Sequence, residues 1–194
     1  MSSMNATTRE KILQKTWQLM VKRRGQGVRV EDVARAVGIS RQAVYLHFGS
    51  RAGLLIATVR YVDEAKNLND RLQKMNTAAN GAEVLEAFVD FWGNYLPEIH
   101  GPAKALLAVR ETDKDAAAAL ADRMQALRQG CRSVVNCLVR DRMLAPQWNA
   151  DRAVDALYAM SSVSVWEDLT IECGWSQAEY ISHMKWIFKR TFLK

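Results

Sequence analysis

The sequence predicts an all-α protein of about nine helices, and three observations support this. Only three prolines and ten glycines interrupt its 194 residues, whereas the good helix formers Ala, Leu, Arg and Met are plentiful. Apolar residues recur at the three- and four-residue spacing of amphipathic helices. No segment alternates apolar and polar residues as a half-buried strand would. Nearly half of the chain is apolar, so it can bury a core.

The N-terminal residues predict a first helix over 7–24. Thr7 or Thr8 can cap this helix through its hydroxyl, and Glu10 would lie in the first turn, where a negative charge is favourable. Lysines and arginines occupy much of the surface that its apolar stripe leaves free.

Residues 30–48 predict two short helices joined by a tight turn. The first would run over 30–37, and Gly38 would supply the permissive backbone that a sharp exit needs. Ser40 can cap the second helix, which begins at Arg41. The buried seam between the two helices would be formed by Val33, Ala34, Val37, Ile39, Val44 and Phe48. This spacing is typical of a helix-turn-helix, whose second helix enters the major groove of DNA.

The charges are divided unevenly along the chain. Residues 1–60 hold 11 Lys and Arg against 3 Asp and Glu, a net charge of +8, and the remaining residues carry a net charge of −2. A concentration of positive charge around such a motif is the footprint of a polyanion-binding surface. The alternative is a surface helical hairpin with a solvated basic face. The motif and the charge together favour double-stranded DNA as the partner of this surface.

The rest of the chain predicts further helices. Ser50 can cap a fourth helix, from Arg51 to about residue 75. Pro97 should stop a helix over 82–96, because proline cannot donate the helical hydrogen bond. The remaining helices are expected over 103–111, 114–143, 150–172 and 177–192.

Several classes of protein are excluded by what the sequence lacks. No apolar run approaches the ~18 residues of a membrane span, and the first residues lack the apolar core of a secretory signal. We therefore expect a cytoplasmic protein with no membrane partner. The histidines are scattered, and there is no phosphate loop or Cys-x-x-Cys pair. We accordingly expect no enzymatic activity, no metal site and no cofactor.

The three cysteines are Cys131, Cys137 and Cys173. Cys131 and Cys137 would lie on opposite sides of any shared helix, which favours small core residues over a disulfide or a metal pair. Whether one of them senses redox conditions stays open at this point.

Residues 9–60 resemble the TetR family of one-component transcriptional regulators. The resemblance rests on the order and spacing of four segments, REKIL at 9–13, EDVARAVGIS at 31–40, AVYLHF at 43–48 and SRAGLL at 50–55. Beyond residue 60 it is a matter of length and helix layout. It implies an N-terminal three-helix helix-turn-helix domain over 1–50, followed by a helical ligand-binding and dimerisation domain over 51–194.

The resemblance also implies a function. It implies a ligand-responsive repressor that binds a palindrome-like operator as a homodimer and is released by a small, mostly apolar effector. The alternative is a helix-turn-helix protein without a small-molecule effector, which would be controlled by a protein partner or act on chromosome structure.

The resemblance assigns the DNA contacts by position. Gln42, where family members often have glycine, can pair bidentately with adenine, and Arg41 can meet guanine or a phosphate. Arg51 replaces the usual lysine at the start of the fourth helix, where its charge and the free N–H groups suit a phosphate. Arg29 replaces the usual capping threonine and is expected to bind phosphate instead. The predicted DNA-binding residues are therefore Arg29, Ser40, Arg41, Gln42, Tyr45, His47 and Arg51.

The resemblance further implies a ligand pocket within the helical body. Aromatic and sulfur side chains are dense there and suit an apolar pocket, although aromatic residues at helical spacing are usually packed core. The candidate ligand-binding residues are Phe88, Trp92, Tyr95, Arg110, Met124, Met160 and Trp166.

The last two helices resemble the family's dimer-forming pair, and two such helices from each chain would make a four-helix bundle. The alternative is that they simply cover the core of one protomer. The candidate interface residues are Ala156, Ala159, Ile181, Met184, Lys185 and Phe188.

Overall fold

The computed structural model describes residues 7–23, 28–66, 72–73 and 77–194. Within these ranges it contains nine helices: α1 Thr8–Arg23, α2 Val30–Val37, α3 Arg41–Phe48, α4 Arg51–Ala65, α5 Gly81–Val109, α6 Lys114–Arg140, α7 Ala150–Met160, α8 Val163–Glu167 and α9 Gln177–Phe192. A π-helical turn, Asp168–Glu172, follows α8. The described ranges contain no strand, only an isolated bridge between Leu144 and Leu193. The predicted all-α fold class is confirmed.

The chain packs as two units. The first combines residues 1–67 with residues 101–123, and the second combines residues 68–100 with residues 124–194. The units do not coincide with the predicted domains, because the segment 101–123 packs with the N-terminal helices. The division into a DNA-binding domain and a ligand-binding domain stays a prediction about function.

The first unit follows the local signals of its sequence closely. The Thr7 hydroxyl accepts the N–H of Glu10 at 3.2 Å, and the Glu10 carboxylate accepts the N–H of Thr7 at 2.7 Å, so α1 begins with a reciprocal capping pair. The buried apolar side chains of this unit come mainly from α1, α2, α3, α4 and the segment 101–123, and include Ile12, Leu13, Val33, Val44, Leu54 and Leu106. This core holds the motif helices against their neighbours.

The fourth helix is shorter than predicted. α4 ends at Ala65 rather than near residue 75, and Lys66 follows in a non-helical conformation. No glycine or proline marks this end, so the sequence pattern carried no stop signal. Residues 67–71 and 74–76 of the predicted helix lie outside the described residues.

In the second unit, Pro97 does not stop its helix, so that prediction was wrong. α5 continues through it to Val109 and merges the two helices expected over 82–96 and 103–111. Proline leaves the carbonyl four residues earlier without its helical donor. That carbonyl, on Gly93, accepts a hydrogen bond from Gln177 Nε2 of α9 at 2.6 Å. A distant amide thus replaces the missing N–H and lets the helix persist.

The segment predicted as one helix over 150–172 is also divided. α7 ends at Met160, and Ser162 caps the short α8 by accepting the N–H of Val165 at 3.3 Å. The preceding Ser161 is buried, and its carbonyl accepts Trp92 Nε1–H of α5 at 2.6 Å. This contact draws the backbone of the break into the interior. The helix predicted over 114–143 is α6, which ends at Arg140.

The three cysteines are free thiols in different surroundings. Cys131 is buried, as expected, and burial raises the pKa of its thiol to about 12. Cys137 is half-buried and Cys173 is exposed. Among the described residues, no helix is both long and apolar enough to cross a bilayer.

Two glycines provide a test of the packing. A Cβ on Gly53 of α4 would lie 2.2 Å from the backbone oxygen of Phe48, so Gly53→Ala should destabilise the protein by about 1–3 kcal/mol. Gly130 of α6 is the matched control, because no described residue comes within 4 Å of a Cβ added there. Gly130→Ala should raise stability by about 0.5–1 kcal/mol through helix propensity. Urea unfolding measures both, and a neutral Gly53→Ala would contradict the packing.

Candidate nucleic-acid interface

The turn between α2 and α3 fixes how α3 is presented. Gly38 adopts a left-handed conformation with φ of 79°, and its N–H donates back to the carbonyls of Ala34 and Arg35. Ser40 then caps α3 by accepting the N–H of Ala43 at 3.1 Å. Val44 is buried, so this side of α3 is held inside the first unit. The opposite side is therefore directed away from the core.

The outward face of α3 carries most of the predicted DNA-binding residues. Arg41, Gln42, Tyr45 and His47 are all exposed. Arg41 Nη1 lies 2.9 Å from Glu31 Oε1 of α2, in an ion pair whose two side chains are both largely exposed. Such a pair contributes little stability, so a phosphate can displace the carboxylate.

Sequence reasoning missed an exposed apolar side chain of α3. Leu46 is 81% exposed and was assigned neither to the core nor to the interface. A signal was available, because Leu46 lies four residues after Gln42 and therefore shares its helix face.

Arg29 precedes α2 and does not cap it through its side chain. The residue is exposed in an extended conformation, and its carbonyl accepts the N–H groups of Asp32 and Val33. The structure therefore agrees with the prediction that α2 lacks the usual side-chain cap. An exposed guanidinium beside the motif suits a phosphate.

The structure gives Arg51 a partner different from the phosphate expected. Its guanidinium binds Asp113 bidentately, with Nη1–Oδ1 at 2.6 Å and Nη2–Oδ2 at 2.7 Å. Nη1 also donates to Asp115 Oδ2 at 3.3 Å, and Nε donates to the carbonyl of Val28 at 2.7 Å. The Arg51 side chain is only 21% exposed. Every nitrogen of the guanidinium already donates within the protein, so Arg51 has a structural role here and its phosphate contact stays a prediction.

Asp113 has two roles at the start of α6. Its Oδ1 accepts the N–H groups of Asp115 and Ala116, so it caps this helix as well as binding Arg51. The Arg51 hydrogen bond, helped by these backbone donors, lowers the pKa of Asp113 below its ordinary value. The same pairing raises the pKa of Arg51.

Further ion pairs join α4 and α6 beyond this point. Arg60 of α4 donates to Asp122 of α6 through Nε at 3.2 Å and through Nη2. Arg123 of α6 donates in return to Asp63 of α4 and to the neighbouring Asp122. Because both sequence positions increase together along these pairs, the two helices run in the same direction here. Ion pairs thus join α4 to the start of α6.

The predicted ligand-binding residues lie in several environments. In the second unit, Phe88, Tyr95 and Trp166 are buried, and Trp92, Met124 and Met160 are half-buried. Trp92 and Tyr95 come together with ring centroids 6.0 Å apart. Arg110 belongs to the first unit, is exposed and lies 4.0 Å from the carboxylate of Glu111.

Polar groups cluster beside one of these aromatic residues. His100 lies 5.1 Å from the Trp166 ring, and its Nε2 is 3.4 Å from Glu167 Oε1. Trp166 Nε1 donates to Gln177 Oε1 at 3.2 Å. Within the described residues, no group of three or more His, Cys, Asp and Glu side chains is placed to hold a metal ion.

Four of the six predicted dimer residues are buried, packed or paired within their own protomer, and two of them contact α5. Ile181 packs against Gly93, and Lys185 Nζ pairs with Asp90 at 2.6 Å. Met184 and Phe188 are buried within the second unit and have no free surface for a partner. Ala156 is half-buried and Ala159 is exposed. The outer face of α9 instead presents Trp186, which is 61% exposed and was missed from the sequence.

The Arg51–Asp113 pair makes stability depend on pH. Because the folded-state pKa of Asp113 is lowered, its contribution is present above its unfolded pKa and is lost as the pH falls through the folded pKa. Asp113→Asn removes the charge but keeps a capping side chain, and should cost about 1.5–3 kcal/mol at pH 7. The difference from the natural protein should shrink below about pH 4.

Urea unfolding of both proteins over this pH range measures the effect. Asp151→Asn is the matched control, because Asp151 pairs with Arg132 at the surface, where both side chains are well exposed. That change should alter stability by less than about 1 kcal/mol. A pH-independent loss in Asp113→Asn would contradict the role given to its charge.

Comparisons with known proteins agree with this geometry. Residues 12–58 match the family described as "Bacterial regulatory proteins, tetR family". The HTH-type transcriptional regulator AlkX of Mycobacterium tuberculosis is 35% identical over 96 residues. That match covers 48% of this chain and 43% of AlkX, so it spans less than half of that relative.

Solved structures share the fold over nearly the whole chain. A proposed TetR-family transcriptional regulator from Rhodococcus sp. superposes with a TM-score of 0.74 at 18% identity, over 95% of this chain and 97% of that one. NalD of Pseudomonas aeruginosa, the secondary repressor of the MexAB-OprM multidrug efflux pump, superposes with a TM-score of 0.68 at 20% identity, over 96% of each chain. At these identities the likeness concerns the fold. Taken together, residues 12–58 carry the match to the tetR family of bacterial regulatory proteins, and the chain as a whole shares the fold of these regulators.

Proposed function

We propose that this protein is a non-enzymatic transcriptional repressor that binds a palindrome-like operator as a homodimer and releases it when a small, mostly apolar molecule binds. The observation that carries the proposal is the exposed face of α3. Its polar side chains have no core to pack against, and they lie in the part of the sequence with a net charge of +8. A helix presented in this way suits the major groove.

The contacts to DNA divide into two kinds. Gln42 is the candidate base reader, because a side-chain amide matches the N6 and N7 atoms of adenine. Arg29, Tyr45 and His47 are candidates for phosphate contacts, which position the protein without reading sequence. Arg41 can serve either purpose once it leaves Glu31. The Ser40 hydroxyl accepts a hydrogen bond within α3 and can still donate its own proton to a phosphate.

Two copies are needed for adequate affinity, because one short helix makes few contacts. A dimer would present two copies of α3 to half-sites ~34–36 Å apart. We propose the outer faces of α7 and α9 as the interface, with Ala156, Ala159 and Trp186 in it. Small residues permit close helix approach, and an exposed tryptophan is a typical interface anchor.

The response to a ligand is proposed for the second unit. A cavity beside Arg51 in the first unit has a volume of about 10 Å³, room for about one water molecule. The half-buried Trp92, Met124 and Met160 are better suited to an apolar effector. That NalD is a repressor supports the proposed repressor role here.

The Arg51–Asp113 pair offers a route from effector to DNA. Asp113 lies in the turn between α5 and α6, and Arg51 begins the helix that follows α3 directly. An effector that shifts this turn would also shift the start of α4. A coupling of ~1–3 kcal/mol would change DNA affinity by ~5–150-fold.

A second candidate function is a regulator without a small-molecule effector, governed by a protein partner or acting on chromosome structure. It is favoured by the dense packing of Phe88, Tyr95 and Trp166. The two candidates differ in one measurement: only the first predicts that small apolar molecules weaken DNA binding.

Selection of sites from a random duplex library tests the DNA-binding proposal. The natural protein should enrich an inverted repeat, and enrichment of no sequence would contradict the proposal. On the selected site, Gln42→Ala should lose about 1–3 kcal/mol of discrimination at one position per half-site, with nonspecific binding nearly unchanged. Arg29→Ala is the contrasting variant, since it should weaken all sequences alike and reduce the salt slope by about 1 per protomer.

Trp186→Glu tests the proposed interface. Burying a charge in place of an aromatic anchor should raise the dimer dissociation constant about 30-fold or more. Light scattering over a concentration series measures this. Val139→Glu changes another exposed apolar residue, on α6, and should leave the dimer intact. Equal behaviour of the two variants would remove Trp186 from the interface.

A further inference from the structure

The most exposed large apolar side chain in the described part of the molecule is on α3. Leu46 is 81% exposed, compared with 61% for Trp186 and 37% for its neighbour Tyr45. Two residues earlier, Val44 is buried in the core of the first unit. At about 100° per residue, Leu46 points to nearly the opposite side of the helix from Val44. It is therefore placed at the centre of the outward face.

Gln42 lies on the same face of α3 as Leu46. It lies four residues before Leu46, so the two side chains are neighbours on one face, about 6 Å apart along the helix axis. That distance is close to two base-pair steps of ~3.4 Å. If Gln42 reaches one base pair, Leu46 reaches another within about two steps of it.

The chemistry of Leu46 restricts what it can meet in DNA. A leucine side chain cannot hydrogen-bond a phosphate or a polar base edge. The C5-methyl group of thymine is the apolar group that the major groove presents. The surroundings favour duplex DNA over an apolar protein partner, because the exposed neighbours are Arg41, Gln42 and His47 and the segment carries a net charge of +8.

We propose that Leu46 determines specificity by packing on the methyl group of a thymine, within about two base pairs of the adenine read by Gln42. This inference rests on the proposed DNA-binding function and adds a second base-reading residue to it. The pair would prefer a short A·T-containing segment in each half-site.

Deoxyuridine tests the contact because it differs from thymidine only by lacking this methyl group. On the site selected by the natural protein, each thymine is replaced in turn by uracil in both half-sites, and affinity is measured by competition. One position should lose affinity about threefold to fourfold per half-site, as expected for one buried methyl group. Leu46→Ala should bind the thymine site with a similar loss and should no longer distinguish thymine from uracil there.

Gln42→Ala is the matched control, since it should still distinguish thymine from uracil at that position. Leu46 is exposed, so Leu46→Ala should unfold at the same temperature as the natural protein. Equal sensitivity to uracil in the natural protein and in Leu46→Ala would overturn the inference, as would unchanged affinity of Leu46→Ala for the selected site. Failure of the natural protein to select any sequence would instead overturn the proposed function itself.

Discussion

The bidentate ion pair between Arg51 and Asp113 is the interaction on which the arrangement of the first unit depends. It joins the first residue of α4 to the cap of α6, and Arg51 Nε also holds the carbonyl of Val28, just before α2. Only Gly49 and Ser50 separate α3 from α4. The segments that precede and follow the helix-turn-helix, at Val28 and at the start of α4, are therefore both held by a single guanidinium, and this positions α3.

This arrangement explains why an arginine at this position serves the fold. A lysine carries the same charge, but it cannot bind a carboxylate through two parallel hydrogen bonds while a third nitrogen holds a carbonyl. Asp113 in turn is engaged by the backbone N–H groups that it caps, so its position is fixed independently of Arg51. The ion pair thus connects two elements that are each already ordered, which reduces the entropy lost in forming it.

The parts of the fold that sequence reasoning predicted are those set by neighbouring residues. Gly38 and Ser40 act within a few positions of themselves, and the bounds of α2 and α9 agree with the predictions. Pro97 was misread because its effect is decided by Gln177, which lies 80 positions later in the sequence. No local pattern contains such a partner.

The candidate site shows the same division. The exposed face of α3 follows from helix periodicity, and Leu46 could have been found by asking which positions share a face with Gln42. The inward orientation of Arg51 could not have been predicted in this way, because its carboxylate partners lie 62 and 64 residues away in the sequence. For α9, the apolar residues Met184 and Phe188 were ambiguous between core and interface, and only their burial in the folded chain assigns them to the core.

The positive charge available on the folded surface is smaller than the excess of Lys and Arg in residues 1–60 suggests. Arg51 and Arg60 count toward the excess in residues 1–60, yet carboxylates from residues 113 and 122 pair with both. Arg41 is also paired, but in an exposed pair that is easily exchanged. The cations that a duplex meets are therefore fewer than the 11 in this part of the sequence. The slope of DNA affinity against salt concentration depends on how many phosphates the protein neutralises. It should therefore reflect the number of exposed cations rather than all 11.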